Sequence, residues 1–238
     1  MKFYPLLLLF LLATAPSWAQ ELTIYTENNP PASYMANGRP EGIAVEAVRK
    51  ILHHLGQPDT IEIVPWARGY NLALKQPNVA LFSTTRLPER EKLFKWVGPI
   101  YTHTWAFFKK KGAPFNISRL EDAKKVDRIG TYRQDAKKMF LEKHGFTNLV
   151  DTTDNTTNAM HLLNGNIDLW ISSSFSMPYI ARQAGVDPHD IETAFVIRSV
   201  DNYIVFSRQT PDTIVDEWRR ALAEIKIGNK KMNLPPTK

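Results

Sequence analysis

The chain of 238 residues contains no cysteine and only 11 glycines. The absence of cysteine excludes disulfides, thiolate metal sites, a cysteine nucleophile and thiol redox chemistry. The few glycines do not form a loop of the kind that cradles phosphate groups, so the sequence does not indicate nucleotide binding. Any chemistry at a functional site must therefore use oxygen, nitrogen and carboxylate groups.

Charge of one sign is also not concentrated anywhere in the chain. The 30 Lys and Arg residues exceed the 24 Asp and Glu residues, which gives a formal net charge of +6. The densest basic run, residues 109–111, is short, and no nucleic-acid-reading motif accompanies it. The six histidines are dispersed along the sequence. We therefore expect no nucleic-acid partner, no metal site and no cofactor.

The chain has one strongly apolar run, residues 6–12, and it lies near the N-terminus. Lys2 precedes this run and the small residues of Ser17-Trp18-Ala19 follow it, an order that is typical of a secretory signal peptide. The run is too short for a membrane-spanning helix, which needs about 20 apolar residues. An uncleaved anchor is the alternative. We predict cleavage after Ala19 and export to the periplasm.

Predicted strands and helices alternate through the rest of the chain, which favours an α/β fold with parallel sheets covered on both faces. Strands rich in β-branched and aromatic residues are predicted at 22–26, 61–64, 79–82, 100–108, 128–131, 149–150, 167–171, 194–197 and 203–207. Apolar residues at helical spacing predict helices at 42–55, 67–74, 136–144, 156–163, 176–183 and 214–225. The chain thus divides into two α/β halves of similar size.

A series of short motifs resembles one known family. In chain order they are Tyr25-Thr26-Glu27, Pro30-Pro31, Pro65-Trp66, Ser83-Thr84-Thr85, Pro88-Glu89-Arg90, Gly98-Pro99 and Leu163-Asn164-Gly165-Asn166-Ile167-Asp168. Together they resemble the family 3 extracellular solute-binding proteins, the periplasmic receptors of polar amino-acid uptake systems. The resemblance covers essentially the whole chain after the signal peptide. It implies a two-lobed, type II periplasmic-binding fold with a ligand cleft between the lobes.

The resemblance also implies the division of the chain. Lobe one would hold residues 20–102 and the C-terminal return, residues 202–238, after a signal peptide of residues 1–19. Lobe two would be the inserted segment, residues 103–201. The two crossover segments would lie near residues 101–103 and 200–203.

Three candidate site residues follow from the same resemblance. Arg90 matches the family arginine that grips the ligand carboxylate, for which a planar guanidinium supplies two charge-assisted hydrogen bonds. The alternative is a surface arginine on an early helix turn. Ser83 and Thr85 match small hydroxyl residues that bind the same carboxylate at a helix start, with plain capping as the alternative.

Trp66 and Glu27 are two further candidates in lobe one. Trp66 matches an aromatic position that stacks on the ligand, although a buried core tryptophan is an equal alternative. Glu27 follows the first strand, where ligand sites of open α/β sheets lie. Its carboxylate could meet a ligand amine or hydroxyl, or form a salt bridge to Arg68 or Arg90.

Lobe two departs from the family pattern. Ser173 stands where amino-acid receptors of the family carry an aspartate that pairs with the ligand ammonium. A serine cannot neutralise a buried ammonium, and an unpaired buried charge costs several kcal/mol. Asp135, at the start of a predicted helix, either substitutes for that carboxylate or caps the helix. An ordinary α-amino acid is therefore not the expected ligand.

These residues predict a receptor and not an enzyme. The receptor would clamp a small polar solute that bears a carboxylate, an amino acid or a related compound, and present it as a monomer to the permease of an ABC transporter. One alternative is an enzyme similar to the periplasmic dehydratases of this fold, with Glu27 or Asp135 as general acid. Another is a ligand sensor without a transporter. A serine hydrolase is not indicated, because no histidine stands at a recognisable spacing from residues 172–174.

Overall fold

The structure is a computed structural model that describes residues 22–228, with side chains to residue 226. The predicted signal peptide, residues 1–19, lies outside the described residues. The helices are α1 (Ile43–His54), α2 (Trp66–Lys75), α3 (Ala136–Lys143), α4 (Asn155–Leu163), α5 (Met177–Gln183) and α6 (Asp212–Gly228). The strands are β1 (Thr23–Thr26), β2 (Tyr34–Ala36), β3 (Arg39–Glu41), β4 (Ile61–Ile63), β5 (Val79–Thr85), β6 (Phe94–Lys110), β7 (Ile129–Tyr132), β8 (Leu149–Thr152), β9 (Leu169–Ser173) and β10 (Ile191–Ser207). Within residues 22–228, no helix combines the length and the apolar character that crossing a membrane requires.

Eight strands form one sheet in the order β4-β1-β5-β10-β6-β9-β7-β8. At one end β1 pairs in parallel with β4 and β5, and at the other β7 pairs in parallel with β8 and β9. The two parallel groups are joined by β6 and β10, which are antiparallel to each other. We call the β1, β4 and β5 side lobe one, and the β7, β8 and β9 side lobe two. The predicted α/β class is confirmed.

The two late strands predicted at 194–197 and 203–207 are in fact parts of one strand of 17 residues, β10. Residues 198–202, between the two predicted strands, continue β10 and pair with β6. Val200 lies opposite His103 and Asn202 opposite Tyr101. Cross-strand hydrogen bonds satisfy the backbone here, so polar side chains do not end the strand.

Each lobe has its own apolar core. In lobe one the buried residues Ile24, Val45 and Trp218 belong to a cluster that packs α1 and α6 against the sheet. In lobe two Phe108 and Trp170 belong to a cluster formed with residues of α4 and α5. The cores lie on opposite sides of the region where β6 and β10 run between the lobes.

A hairpin of β2 and β3, which the sequence analysis does not predict, precedes α1 and turns at Asn37-Gly38. The chain then passes through Gly42, whose φ is +122°. A Cβ at Gly42 would lie 2.4 Å from the carbonyl oxygen of Ala32. Only glycine fits this close contact, which holds the residue before α1 against Ala32 in the segment between β1 and β2.

We expect Gly42→Ala to destabilise the protein by about 2–3 kcal/mol, because both the backbone angle and the clash with Ala32 oppose a side chain. Gly38→Ala is the matched control, since Gly38 has φ +77° but nothing lies within 4 Å of the position that a Cβ would take there. Urea unfolding measures both changes. Equal losses for the two variants would contradict the role given to the Ala32 contact.

Candidate functional site

Arg90 lies on a short 3-10 helix, Pro88–Leu93, and its side chain is completely buried. The surface alternative for this arginine is therefore wrong. Its Nη2 donates to the backbone carbonyl of Gln134 at 2.9 Å, and its Nη1 donates to the carbonyl of Thr85 at 3.5 Å. Gln134 belongs to lobe two, so the guanidinium sits where the two lobes meet.

The charge of Arg90 is not balanced by a protein carboxylate. The guanidinium carbon lies 5.4 Å from the ring centre of Trp66 and 5.0 Å from that of Tyr70. Within residues 22–226, no Asp or Glu oxygen lies within 4.0 Å of its nitrogens. Burial lowers the pKa of Arg90 from its ordinary value. Two aromatic faces and two neutral carbonyls thus surround a buried cation that has no counter-ion.

The carbonyl of Gln134 joins the lobes at a second point. Gln134 has a left-handed φ of +58°, and its carbonyl also accepts a hydrogen bond from Trp66 Nε1 at 3.0 Å. Lys143 and Glu89 form an ion pair across the same boundary. Trp66 is only 3% exposed, as the core alternative expects, and its stacking on a ligand stays a prediction.

Glu27 follows β1 directly and is 7% exposed. Burial raises its pKa to about 8, and the nearby Asp135 adds to this rise, while Lys137 and Arg90 oppose it. The predicted salt bridge to Arg68 or Arg90 is absent among the described residues. At neutral pH Glu27 is therefore mainly a neutral carboxyl group, which can donate a hydrogen bond as well as accept one.

Asp135 caps α3, as one of the two sequence alternatives proposed. Its Oδ1 accepts a hydrogen bond from the backbone N–H of Lys137 at 2.7 Å. The Lys137 ammonium forms an ion pair with the same carboxylate at 2.9 Å. Because the cap and the ammonium occupy this carboxylate, it is already neutralised within lobe two.

Ser83 and Thr85 do not stand at a helix start, as the sequence suggested, but within β5. The 3-10 helix begins after Leu87, which provides no side-chain cap. The Thr85 hydroxyl donates to Asn202 Oδ1 on β10 at 3.2 Å, so it ties two strands together. Ser83 is buried with φ +65°, and its hydroxyl forms no hydrogen bond within residues 22–226.

Ser173, at the end of β9, contacts a histidine that sequence reasoning did not connect to it. His103 Nδ1 lies 2.7 Å from Ser173 Oγ, although 70 residues separate the two in the chain. The spacing of two within β6 places Tyr101, His103 and Trp105 on one face of the strand. This alternation is the sequence signal that could have indicated His103 as a site residue, since a crossover between the lobes is expected near residues 101–103.

A cavity of ≈ 320 Å³ lies between the lobes, a volume within the range of small-molecule sites. It is lined by Glu27, Asn28, Ile63, Val64, Pro65, Trp66, Tyr132, Thr153, Asp154, Asn155, Thr156, Ile180 and Gln183. Of the predicted site residues, Glu27 and Trp66 line it directly, and Trp66 links it to Arg90. Within the described part of the chain, no group of three or more His, Asp and Glu residues could hold a metal ion.

Solved structures with the same fold include binding proteins and a sensor. A histidine kinase sensor domain with similarity to periplasmic binding proteins is 18% identical, with TM-score 0.77, over 88% of this chain and 92% of that chain. Holo ArgBP from T. maritima is 18% identical, with TM-score 0.73, over 87% of this chain and 90% of that chain. The substrate binding protein of an amino acid ABC transporter is 15% identical, with TM-score 0.73, over 87% of this chain and 94% of that chain. At these identities the likeness concerns the fold.

The family comparison covers nearly the whole chain. No curated protein sequence matched. The model of the bacterial extracellular solute-binding proteins, family 3, matches residues 22–231. That span includes both lobes, the long strands between them and every residue of the candidate site. The chain therefore belongs to the bacterial extracellular solute-binding proteins of family 3.

Proposed function

We propose that this protein is a periplasmic receptor that clamps a small, carboxylate-bearing solute between its lobes and presents it to a membrane permease of an ABC transporter. The lobes would be residues 20–102 with 202–238, and residues 103–201, after removal of a signal peptide. The receptor acts as a monomer and carries out no reaction. Its ligand selects the closed arrangement by binding it more tightly than the open one.

The observation that carries this proposal is the buried, unpaired guanidinium of Arg90. A neutral carbonyl, that of Gln134, accepts one of its hydrogen bonds at 2.9 Å but does not balance its charge. A ligand carboxylate would supply both oxygens and the missing negative charge, and charge-assisted pairs are roughly twice as strong as neutral ones. The aromatic rings of Trp66 and Tyr70 hold the guanidinium in place for such a ligand.

Thermal unfolding in the presence of small carboxylic acids tests the proposal. We expect at least one acid to raise the melting temperature, since a ligand at 100 times its Kd stabilises by about 2.7 kcal/mol. The methyl ester of the same acid is the matched control and should give no shift, because it lacks the negative charge. Equal shifts with acid and ester would contradict the carboxylate clamp.

A sensor role is the second candidate, and the match to a histidine kinase sensor domain supports it. The site would work in the same way, but a signalling protein would read the closed arrangement in place of a permease. Isolation of the membrane partner after cross-linking in whole cells distinguishes the two roles. A permease supports transport, and a kinase supports sensing.

A dehydratase-like enzyme remains the third candidate because Glu27 has the protonation state that a general acid needs. Its pKa of about 8 keeps the proton at neutral pH, and it lines the cavity near Trp66. An enzyme would release a product that differs from the bound acid in mass. Incubation of the ligand with the protein, followed by mass spectrometry, should recover the ligand unchanged if the protein is a receptor.

A further inference from the structure

The pair of His103 and Ser173 is a polar contact beside the crossover between the lobes that the carboxylate clamp does not use. The charges of Lys137 and Asp135 act on His103 and also on Glu27, which lines the cavity between the lobes. β6 and β9 are antiparallel neighbours, with Trp105 opposite Ser173. His103 lies two residues before Trp105 and therefore on the same face of β6. This arrangement brings its Nδ1 to 2.7 Å from Ser173 Oγ.

The hydrogen bonds of Ser173 determine which nitrogen of His103 carries the proton. Ser173 Oγ accepts a hydrogen bond from the backbone N–H of Phe175 at 3.1 Å. Its own hydroxyl proton then needs an acceptor, and Nδ1 of His103 is the one within hydrogen-bond distance among residues 22–226. The serine therefore donates to Nδ1, and the proton of the neutral imidazole is on Nε2.

The imidazole is neutral over the physiological range. Burial lowers the pKa of His103 to about 3, and the positive charge of Lys137 adds to this effect, while Asp135 opposes it. The Asp135 carboxylate accepts from Lys137, and no hydrogen bond joins it to Nε2 of His103. His103 thus presents a neutral N–H donor and no positive charge.

This donor has no protein partner. Nε2 of His103 is shielded from solvent and forms no hydrogen bond within residues 22–226. A buried donor without an acceptor costs about 1–3 kcal/mol. The group is therefore ready to bind an acceptor that comes from outside the chain.

We propose that His103, oriented by Ser173, is a specificity-determining donor that requires an oxygen acceptor on the ligand. This inference rests on the proposed carboxylate clamp and names its substrate class. The ligand is a carboxylic acid that carries a further oxygen group besides the clamped carboxylate, such as a hydroxy acid, a keto acid or a dicarboxylic acid. An ammonium group carries donors only, so against Nε2–H it would leave two donors facing each other near the Lys137 cation.

Matched ligand pairs test this preference in the full chain. The pairs are lactate and alanine, and 3-phenyllactate and phenylalanine, all as L enantiomers, measured by isothermal titration calorimetry. We expect the hydroxy acid of a pair to bind about 10- to 100-fold more tightly than the amino acid. In His103→Phe, which keeps an aromatic ring and removes the donor, the preference should fall to less than about 3-fold.

Two further variants separate the parts of the proposal. Ser173→Ala frees Nδ1 and should weaken the preference, whereas His53→Phe, at an exposed histidine on α1, should leave it unchanged. An amino acid that binds as tightly as its hydroxy acid overturns the role of His103 but leaves the carboxylate clamp intact. Binding that survives Arg90→Met overturns the clamp instead.

The tautomer itself can be measured on the wild-type protein, with no variant that could misfold. Nitrogen-15 NMR of the histidine rings distinguishes Nε2–H from Nδ1–H and both from the imidazolium ion. We expect His103 to remain neutral, with its proton on Nε2, from pH 5 to pH 8. A proton on Nδ1, or an imidazolium at pH 6, would overturn the inference.

Discussion

Arg90→Met should abolish binding of carboxylic acids while leaving the ligand-free protein at least as stable as the wild type. Binding is lost because the guanidinium supplies the charge for the carboxylate, and methionine supplies none. Stability is kept because Arg90 is a fully buried cation without a carboxylate partner. Methionine also removes the cost of keeping a buried charge away from water without a counter-ion, so we expect no loss of stability.

The matched control is Arg86→Met, four residues earlier on the chain. Arg86 is exposed, pairs with Glu91 at 2.5 Å and lies over the ring of Trp96 at 5.3 Å. Its loss should change ligand affinity little. Melting temperature and calorimetric titration measure both variants. If Arg90→Met unfolds more easily than Arg86→Met and still binds acids, the charge of Arg90 serves the fold and not the ligand.

The free energy of unfolding should be nearly constant from pH 4.5 to pH 6.5 and should fall by about 2 kcal/mol from pH 6.5 to pH 8. Glu27 has a pKa of about 8 in the folded protein and an ordinary value of 4.5. The folded state thus binds a proton that the unfolded state has lost, and stability falls as the pH rises through this range. His103 has the opposite effect on the pH dependence of stability, because folding lowers its pKa from 6.5 to about 3.

The two effects cancel between pH 4.5 and pH 6.5, and above pH 6.5 Glu27 acts alone. Glu27→Gln removes the effect of Glu27 and leaves that of His103. The free energy of unfolding of the variant should therefore rise by about 3 kcal/mol between pH 4.5 and pH 6.5 and stay constant above pH 6.5. Glu62→Gln, at an exposed carboxylate on β4, is the control and should keep the wild-type profile. Urea unfolding at half-unit pH steps gives the curves. A wild-type protein that becomes more stable toward pH 8 would contradict the buried, protonated state of Glu27.

Much of the fold could be predicted from local patterns in the sequence. The helix expected at 42–55 is α1, with Gly42 and Leu55 as its caps, because apolar spacing and a terminal glycine report directly on helix ends. The boundary between the strands predicted at 194–197 and 203–207 was wrong. Polar residues there are paired by β6, a partner about 100 residues away in the chain, and local composition does not report such pairing.

The candidate site was predicted only in part, for the same physical reason. The resemblance identified Arg90, Trp66 and Glu27, which the structure places at the boundary of the lobes. It did not indicate that Gln134 would supply a carbonyl to Arg90, or that Lys137 would hold Asp135. These contacts depend on how the lobes meet. A motif carries the type of a residue, but not the partners that folding brings to it.

Mass spectrometry of small molecules released from the purified wild-type protein shows whether Arg90 holds a carboxylic acid between the lobes. The protein should be purified without added ligand, denatured, and compared with Arg90→Met prepared in the same way. We expect the wild type to release a small acid that carries an oxygen group besides its carboxylate, and the variant to release none. Recovery of a solute without a carboxylate from the wild type, or of the same acid in equal amount from both proteins, would contradict the role of Arg90 as the carboxylate clamp.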